Sequence, residues 1–447
     1  MWWPTLQRGL TIMTSDERWM FWAISCTFLF YFLGALYLVA PALGWLLIAR
    51  LLIVSVFTVQ PSAARSTWIA VLWGLSAFGL LLALVVGHLS FDLGFGKIIK
   101  SIVGWAKGWA LLVVFVWLGI YSTIRAEVLV RAACVVGLIA LLISPFLIVA
   151  WLVGAPGFLY VSPLKVLGGS GPEYFTVILY EIDPGNGAPR WRYFAPWAPA
   201  VGFVANLYLL CAFFEKDPFW RWVGLAGSAL MIVLAASRMG IIVMLFVPLA
   251  IFFLSRLAQL WVVVVAVLLI LLIAFNFEWL WFAIDSMFTQ IKEARADSTR
   301  VRSTLNEIAI YRWHTEAFWF GHGVVEPGSH LVEFMPIGTH HNWYGLLFVK
   351  GVVGFVSFAL PFIVTGIALV LRAQVSWQAQ LAMGLFFVLA FFSLSENIEA
   401  LAYLTWPAWL LIGVALREPL QNLRWENLMR LNTRIFDVKI SGEKCYV

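Results

Sequence analysis

Charged residues are scarce in this chain of 447 residues: they make up 12% of the sequence, whereas hydrophobic residues make up 63%. A soluble globular domain carries about 25% charged residues. This shortage of charge excludes a soluble fold, and the mean hydropathy of +0.93 points the same way. Only α-helices satisfy their own backbone over long apolar runs in lipid, so the sequence predicts an all-α, polytopic transmembrane helical bundle.

Cysteine and histidine are scarce too, with four and six residues respectively. The cysteines stand singly, mostly inside apolar runs, and no two have the spacing of a metal or redox pair, which leaves packing as their expected role. The sequence has no His-Glu-x-x-His pattern, and no cysteine or carboxylate has ligand spacing near its paired histidines. We therefore expect no metal site and no cofactor. Since the N-terminal stretch lacks a small-residue cleavage site, we also expect the first apolar segment to be a retained helix.

Tryptophan is abundant, because the chain has 25 within an aromatic content of 16%. Interfacial belts at helix ends account for many of them. The number exceeds what such belts need, and sugars are commonly held by stacking on aromatic rings, so a carbohydrate substrate is one interpretation of the excess. The alternative is that most of these residues only anchor helix ends.

Apolar runs recur from one end of the chain to the other and predict a single membrane domain over 1–447 with about twelve spans. The predicted spans are 20–40, 43–60, 67–87, 105–121, 128–153, 198–214, 219–237, 239–255, 259–277, 342–371, 378–395 and 400–416. Two connections are long, 154–197 and 278–341, and the others are short. A segment of lysines and isoleucines at 97–105 predicts a short amphipathic helix on the outer surface.

The basic residues of the short connections indicate the orientation of the bundle. Those on one side of the predicted spans are Arg65, Arg125, Lys216, Arg256 and Arg372. Since positively charged loops stay in the cytoplasm, we expect these connections, both termini and the tail at 417–447 to be cytoplasmic. Both long loops are then expected at the periplasmic face.

The most polar stretch of the chain, 278–341, contains five of the six histidines, from His314 to His341. Its arginines are Arg295, Arg300, Arg302 and Arg312. Imidazole and guanidinium groups are expensive to place in a bilayer, so their concentration predicts a functional segment. Histidine offers proton transfer and arginine offers phosphate binding.

Two arginines are candidate phosphate ligands. Arg238 stands between two apolar runs on the expected outer side, where a guanidinium needs an anion; snorkelling to lipid headgroups or pairing with a loop carboxylate is the alternative. Arg302 is expected to begin an amphipathic helix with apolar positions from Leu305 to Phe318, which would place backbone N–H groups beside its side chain. The alternative for Arg302 is a solvated helix with ordinary salt bridges.

His340, His341 and Asn342 end the polar stretch where the next span begins. A histidine at the junction of water and membrane can take a proton from a hydroxyl when its pKa is near neutrality. Asn342 could orient that histidine or bind a sugar hydroxyl. A surface histidine pair or an adventitious metal site is the alternative.

With these residues in order, the chain resembles the O-antigen ligase and polysaccharide polymerase family of bacterial inner-membrane proteins over roughly 190–361. The residues that carry the resemblance are Ser237-Arg238-x-Gly240, Gly321-x-Gly323 at the end of the Arg302 helix, and His341-Asn342 followed by Gly351, Gly354 and Pro361. Residues 190–202 are similar to the family's segment before its central spans, with Pro199-Ala200 where a Pro-Asn pair is usual. Ser395-Glu396-Asn397 fits the family loosely near the last span.

This resemblance implies a metal-independent, membrane-embedded glycosyltransferase that uses a glycan linked through diphosphate to undecaprenol. His341 would act as general base on the acceptor hydroxyl, while Arg238 and Arg302 would stabilise the diphosphate leaving group. The expected substrate-binding residues are Arg300, Asn342, His340, Arg190 and Arg192.

Two functions within the family compete. A polymerase joins two lipid-linked repeat units, whereas a ligase transfers the finished glycan to lipid A–core. The segment from Gly321 to His341, with residues 336–339 before the histidines, looks more similar to exopolysaccharide and capsule polymerases than to ligases. We therefore expect a polymerase at the periplasmic face of the inner membrane, with the ligase as alternative. A polysaccharide transporter or flippase is a further alternative, although transporters place polar residues near the midplane and often repeat their halves.

Overall fold

A computed structural model describes residues 12–57, 67–169, 171–183, 187–279, 281–282, 285–286, 296–338 and 341–417. Arg65, Arg295, His340 and the predicted tail from 418 onward lie outside the described residues. The helices are α1 (Ser15–Ser25), α2 (Thr27–Phe32), α3 (Leu36–Phe57), α4 (Thr67–Ser90), α5 (Phe95–Lys107), α6 (Trp109–Tyr121), α7 (Ala126–Leu152), α8 (Ala198–Phe213), α9 (Pro218–Leu234), α10 (Arg238–Leu254), α11 (Leu260–Phe275), α12 (Ala296–Glu316), α13 (Asn342–Ala373), α14 (Trp377–Phe392) and α15 (Ala402–Leu416).

The prediction of an α-helical membrane protein is confirmed at this level. Five helical stretches are long and apolar enough to cross a membrane: Leu36–Ser55, Trp68–Ser90, Phe95–Tyr121, Ala126–Leu152 and Asn342–Ala373. The apolar helices α8, α9, α10, α11, α14 and α15 are shorter. Helix α11 exposes nearly all of its side chains, as a helix surrounded by lipid does. The number of spans stays a prediction.

The prediction of one continuous span at 20–40 is wrong. The chain turns between α2 and α3 at Gly34, whose φ of +64° is a left-handed conformation that favours glycine. A Cβ at this position would also overlap the side chain of Ser162. An average of hydropathy along the sequence cannot detect this turn, because all residues around it are apolar.

Glycines set the closest helix crossings of the bundle. A Cβ on Gly413 of α15 would lie 2.8 Å from the Cα atom of Gly119 in α6, and one on Gly227 of α9 would lie 2.7 Å from the Cα atom of Gly137 in α7. Small residues let helix backbones approach closely where lipid provides no hydrophobic drive for association. These two crossings are among the most extensive helix contacts of the protein.

Helix α13 is broken at Gly351, where φ is 60° and ψ is −165°. The break deprives two carbonyls and two N–H groups of their partners one turn away. The segment 318–323 replaces all four partners. The N–H groups of His322 and Gly323 donate to the carbonyls of Phe348 and Val349, at 2.9 and 3.0 Å. In return, the carbonyls of Phe318 and Trp319 accept from the N–H groups of Val352 and Val353, both at 3.0 Å.

The long connections contain short antiparallel strands that the sequence did not predict. The strands are β1 (Phe158–Val161), β2 (Thr176–Ile178), β3 (Tyr180–Ile182), β4 (Pro189–Trp191), β5 (Glu326–Pro327) and β6 (Pro336–Ile337). They pair as β1 with β2, β3 with β4 and β5 with β6. The first connection therefore contains two antiparallel strand pairs, and Arg190 is buried on β4.

Candidate functional site

His341 forms the N-cap of α13. Its Nδ1 atom accepts a long hydrogen bond of 3.5 Å from the N–H of Tyr344, and its ring stacks on the Tyr344 ring with centroids 4.2 Å apart. Within the described part of the chain, Nε2 has no hydrogen-bond partner. Partial burial lowers the pKa of His341 from its ordinary value, which favours the neutral imidazole. A neutral imidazole has one unprotonated nitrogen that can accept a proton, and the long contact at Nδ1 does not fix which of the two nitrogens this is. His340 lies outside the described residues.

Asn342 fixes the turn between α14 and α15 against the start of α13. Its N–H donates to the carbonyl of Ser393 at 3.1 Å, and its Oδ1 atom accepts from the N–H of Ile398 at 3.2 Å. The neighbouring indole of Trp343 donates to the Ser393 hydroxyl at 2.9 Å. The acceptor oxygen of Asn342 is therefore occupied by the protein, and the residue holds the turn beside His341. Its role in binding a sugar stays a prediction.

Glu396 lies in that turn, and its position in the sequence predicted no role for it. Its side chain is only 6% exposed, and its Oε2 atom accepts a hydrogen bond of 2.8 Å from the indole of Trp197. Burial raises its pKa to about 7, against the opposing effects of the Trp197 bond, Arg302 and Arg190. The signal in the sequence was an acidic residue in a short connection between two apolar runs.

Arg190 is buried on β4 and joins two parts of the site. Its Nε atom donates to the carbonyl of Ala235 at 3.3 Å, in the turn before Arg238, and its Nη1 atom lies 3.8 Å from Glu181 and 3.9 Å from Asp183. It also contributes to the electrostatic environment of Glu396. The structure thus brings Arg190, Glu396 and the turn before α10 together.

Arg192 is buried with little compensation from the protein. The residue is 7% exposed, and its Nε atom lies 3.8 Å from Glu181, beyond hydrogen-bond distance. Its Nε and Nη2 atoms are buried without a hydrogen-bond partner among the described residues. Leaving a buried charged donor unsatisfied costs several kcal/mol of stability, roughly 3–5 when a buried ion pair lacks one member. A group retained at such a cost is a candidate ligand for an external anion.

Arg238 is the first residue of α10, and its side chain is exposed. The helix begins here because the Ser237 hydroxyl accepts a hydrogen bond of 3.1 Å from the N–H of Gly240. Ser237 packs against Gly202 of α8, where a Cβ would overlap the serine side chain. Arg238 therefore directly follows the turn that Arg190 binds, and Ser237 packs that turn against α8.

The prediction that Arg302 begins a helix is wrong. Helix α12 starts at Ala296, so Arg302 lies in its second turn and the N–H groups near it belong to the helix. The Arg302 side chain is exposed, and it contributes to the electrostatic environment of Glu396. Arg300 is exposed as well, and its Nη1 atom donates to the carbonyl of Leu331 at 3.3 Å. This contact links α12 to the loop that follows it.

The histidines of the polar stretch do not form one cluster. His322 is buried, with its Nδ1 atom 3.1 Å from the Phe348 carbonyl and its Nε2 atom 2.9 Å from Glu316. Arg312 binds Glu316 and Glu326 at 2.8 and 2.6 Å. His322 thus belongs to the network that supports the break in α13, while His314 and His330 are exposed. Only His341, of the histidines described, lies beside the turn that carries Glu396.

A small polar cavity of about 40 Å³ lies under the start of α13. Lys350 and Glu399 line it, together with Asn342, whose Nδ2 atom is buried without a hydrogen-bond partner among the described residues. Such a volume holds a very few water molecules, since one needs roughly 10–15 Å³ on this measure. The cavity therefore has room for water between a buried lysine and a half-buried glutamate. The described residues include no group of three or more His, Cys, Asp or Glu side chains that could hold a metal ion.

An apolar groove of about 650 Å³ runs along α13 and α14. Trp343 lines one part of it, two residues from His341, and the lining continues along α13 as far as Leu371. The groove floor passes Gly366, where a Cβ would lie 2.6 Å from the Phe386 ring.

Comparison with known proteins gives no name for this site: the chain matches no protein-family model, and no curated protein is significantly similar to it in sequence.

Proposed function

We propose that this protein is a membrane-embedded glycosyltransferase that moves a glycan from undecaprenyl diphosphate to the hydroxyl of another lipid-linked repeat unit. The observation that carries the proposal is the buried guanidinium of Arg192, which has two nitrogen atoms without hydrogen-bond partners among the described residues. Arg190 is buried on β4, two residues before Arg192, and Arg238 follows the turn that Arg190 binds. A diphosphate offers several oxygens to forked donors of this kind.

The reaction needs a base as well as an anion site. In the proposed step, the acceptor oxygen attacks the anomeric carbon, and the bond from that carbon to the diphosphate oxygen breaks. The diphosphate leaves with the electron pair, and the acceptor proton passes to the unprotonated ring nitrogen of His341. Partial burial keeps the His341 imidazole neutral near pH 7 and therefore able to accept that proton.

The arginines supply the charge compensation. Arg238 and Arg302 keep the leaving-group role that the resemblance implies, and Arg190 and Arg192 join them as phosphate ligands. Removing one donor from a charge-stabilising site costs about 10²–10³-fold in rate. We place the site at the periplasmic face of a bacterial inner membrane with both termini in the cytoplasm, because the basic short connections then lie inside.

The test is a transfer assay with the purified protein in nanodiscs. The donor is an undecaprenyl-diphosphate-linked repeat unit, offered alone or together with lipid A–core. We expect longer lipid-linked glycans from the donor alone. Glycan joined only to lipid A–core would identify the ligase alternative, and passage of the donor across a proteoliposome membrane without a new glycosidic bond would identify the flippase alternative. Failure to form a new bond with either acceptor would contradict the proposal.

A further inference from the structure

One oxygen of the Glu396 carboxylate is left unused by the residues that the structure describes. Oε2 accepts the hydrogen bond from Trp197, whereas Oε1 accepts none from a described residue. The residue is nevertheless almost buried, with only 6% of its surface exposed. A carboxylate taken from water and given one hydrogen bond is poorly compensated. An unused acceptor in a nearly buried group points to a ligand that donates a hydrogen bond.

The position of Glu396 relates this oxygen to the proposed base. The turn that carries Glu396 is bonded at Ser393 and Ile398 to Asn342, the residue next to His341. Trp197 holds Glu396 from the other side, at the end of the loop that follows β4. Glu396 is thus fixed between the start of α13 and the segment that carries the buried arginines.

The charge of the Glu396 carboxylate distinguishes between a diphosphate and a sugar as its ligand. A diphosphate is repelled by a carboxylate, whereas the arginines attract it. A sugar hydroxyl is a neutral donor that a carboxylate binds well, because hydrogen bonds with one ionised partner are the strong ones. The unused oxygen of Glu396 therefore suits the sugar that approaches His341, and the diphosphate belongs with the arginines.

We propose that Glu396 binds the acceptor glycan by accepting a hydrogen bond from a sugar hydroxyl next to the one that His341 deprotonates. The inference rests on the proposed glycosyl transfer. It assigns Glu396 a role in selecting and orienting the acceptor, and Trp197 a role in holding the carboxylate.

The test compares two fates of one donor. When the acceptor glycan is bound, the donor glycan is transferred to it. When no acceptor is bound, the donor glycan is transferred to water instead. We expect Glu396→Gln to reduce transfer roughly 10- to 100-fold, the loss that corresponds to one hydrogen bond with a charged partner. Release of undecaprenyl diphosphate by hydrolysis of the donor should stay within about twofold of wild type, since water needs no sugar-binding group.

The ratio of transfer to hydrolysis should also depend on pH in a way that identifies the group. The effect of His341 cancels in this ratio because both reactions use the base. Burial raises the pKa of Glu396 to about 7, so protonation below that pH removes the charged acceptor. The ratio should fall several-fold between pH 8 and pH 6 in the wild type and stay flat in Glu396→Gln.

Matched variants separate this role from the alternatives. Trp197→Phe keeps the carboxylate and removes the hydrogen bond that Trp197 donates to it. This variant should therefore lower the ratio of transfer to hydrolysis less than Glu396→Gln does. Glu181→Gln removes a carboxylate that lies beside Arg190 and Arg192, so it should change transfer and hydrolysis by the same factor and leave their ratio as in the wild type. Glu307→Gln, an exposed position on α12, is the neutral control. Thermal unfolding in detergent reports whether each variant is folded.

Three outcomes would overturn the inference. Equal losses of transfer and hydrolysis in Glu396→Gln would make Glu396 a counterion of the arginines. Full transfer in that variant would leave the residue without a role, and a flat pH dependence in the wild-type ratio would contradict the charged acceptor. A wild-type protein without transfer to any acceptor would instead remove the proposed function on which the inference rests.

Discussion

Gly321 and Gly351 lie against each other at the break in α13. A Cβ added to Gly321 would lie 2.6 Å from the backbone nitrogen of Gly351, and one added to Gly351 would lie 2.5 Å from the backbone nitrogen of Phe320. Both residues have positive φ, at 67° and 60°. The loop after α12 and the membrane helix α13 are therefore joined backbone to backbone, which sets the start of α13 and His341 relative to α12.

Because of this close contact, adding a methyl group at Gly351 should lower the stability of the protein. Gly351→Ala should destabilise the protein by at least about 1–2 kcal/mol from its left-handed backbone alone, and the overlap with Phe320 should add to that. Gly104→Ala is the matched control, because it lies in helix α5 with no atom within 4 Å of the added Cβ. Thermal unfolding in detergent should show a lower Tm for Gly351→Ala only. An unchanged Tm would mean that the helix break can relax.

Arg192 predicts a trade between stability and activity. Arg192→Met removes a buried charge that the protein compensates poorly, so its Tm should stay equal or rise, while glycan transfer should fall about 10²-fold or more. Arg131→Met is the contrasting variant, since that buried guanidinium makes two hydrogen bonds of 3.0 Å with Glu215. Its loss should cost roughly 3–5 kcal/mol. A large fall in Tm for Arg192→Met would assign Arg192 to the fold instead of the ligand.

His341 predicts both a loss of rate and a shape of the pH profile. His341→Ala should reduce transfer about 10²–10⁴-fold with the protein still folded, and His340→Ala should do less. The base acts when neutral, and burial lowers its pKa below the ordinary 6.5, so donor hydrolysis should rise with pH through a value under 6.5 and level off above it. Hydrolysis is the measurement to use because it is independent of Glu396. A midpoint above 6.5 would contradict the assignment.

Arg238 and Arg302 predict a dependence on geometry as well as charge. Arg238→Lys and Arg302→Lys should each lose most transfer activity, because lysine cannot offer a forked pair of donors to a diphosphate. The Ala variants should be worse, and the double Ala variant no worse than the more damaged single one, since groups that serve one leaving group act as a unit. Full activity in Arg238→Lys would favour an arginine that only reaches lipid headgroups.

Lys350 and Glu399 predict a coupled pair across the small polar cavity. Lys350→Met or Glu399→Gln alone removes one of the two opposite charges that line the cavity and should lower Tm, whereas the double variant should lower Tm by less than the sum of the two. Asp16→Asn is the surface control, because its pair with Arg50 is partly exposed and should contribute at most about 1 kcal/mol. Additive changes in Tm would show that the two side chains act independently.

Several features of the protein follow from the sequence alone. Apolar runs of 15–30 residues are local signals, so several helices of the bundle were predictable to within a few residues, as at Ala126–Leu152 and Ala402–Leu416. The amphipathic segment at 97–105 is likewise found within α5, which has no buried residue. The concentration of arginine and histidine in the second long connection was visible as composition.

The tertiary structure decided which of those polar residues come together. Trp197 and Glu396 form a hydrogen bond although they are 199 residues apart, and no periodicity reports a contact of that kind. The break at Gly351 depends on partners from 318–323. His322 and His341 look alike in sequence, yet the first is buried in an ion-pair network and the second caps a helix with one nitrogen unbonded in the described protein. Hydropathy determines which segments enter the membrane, whereas the cost of burying unpaired charge and backbone determines which neighbours they must find there.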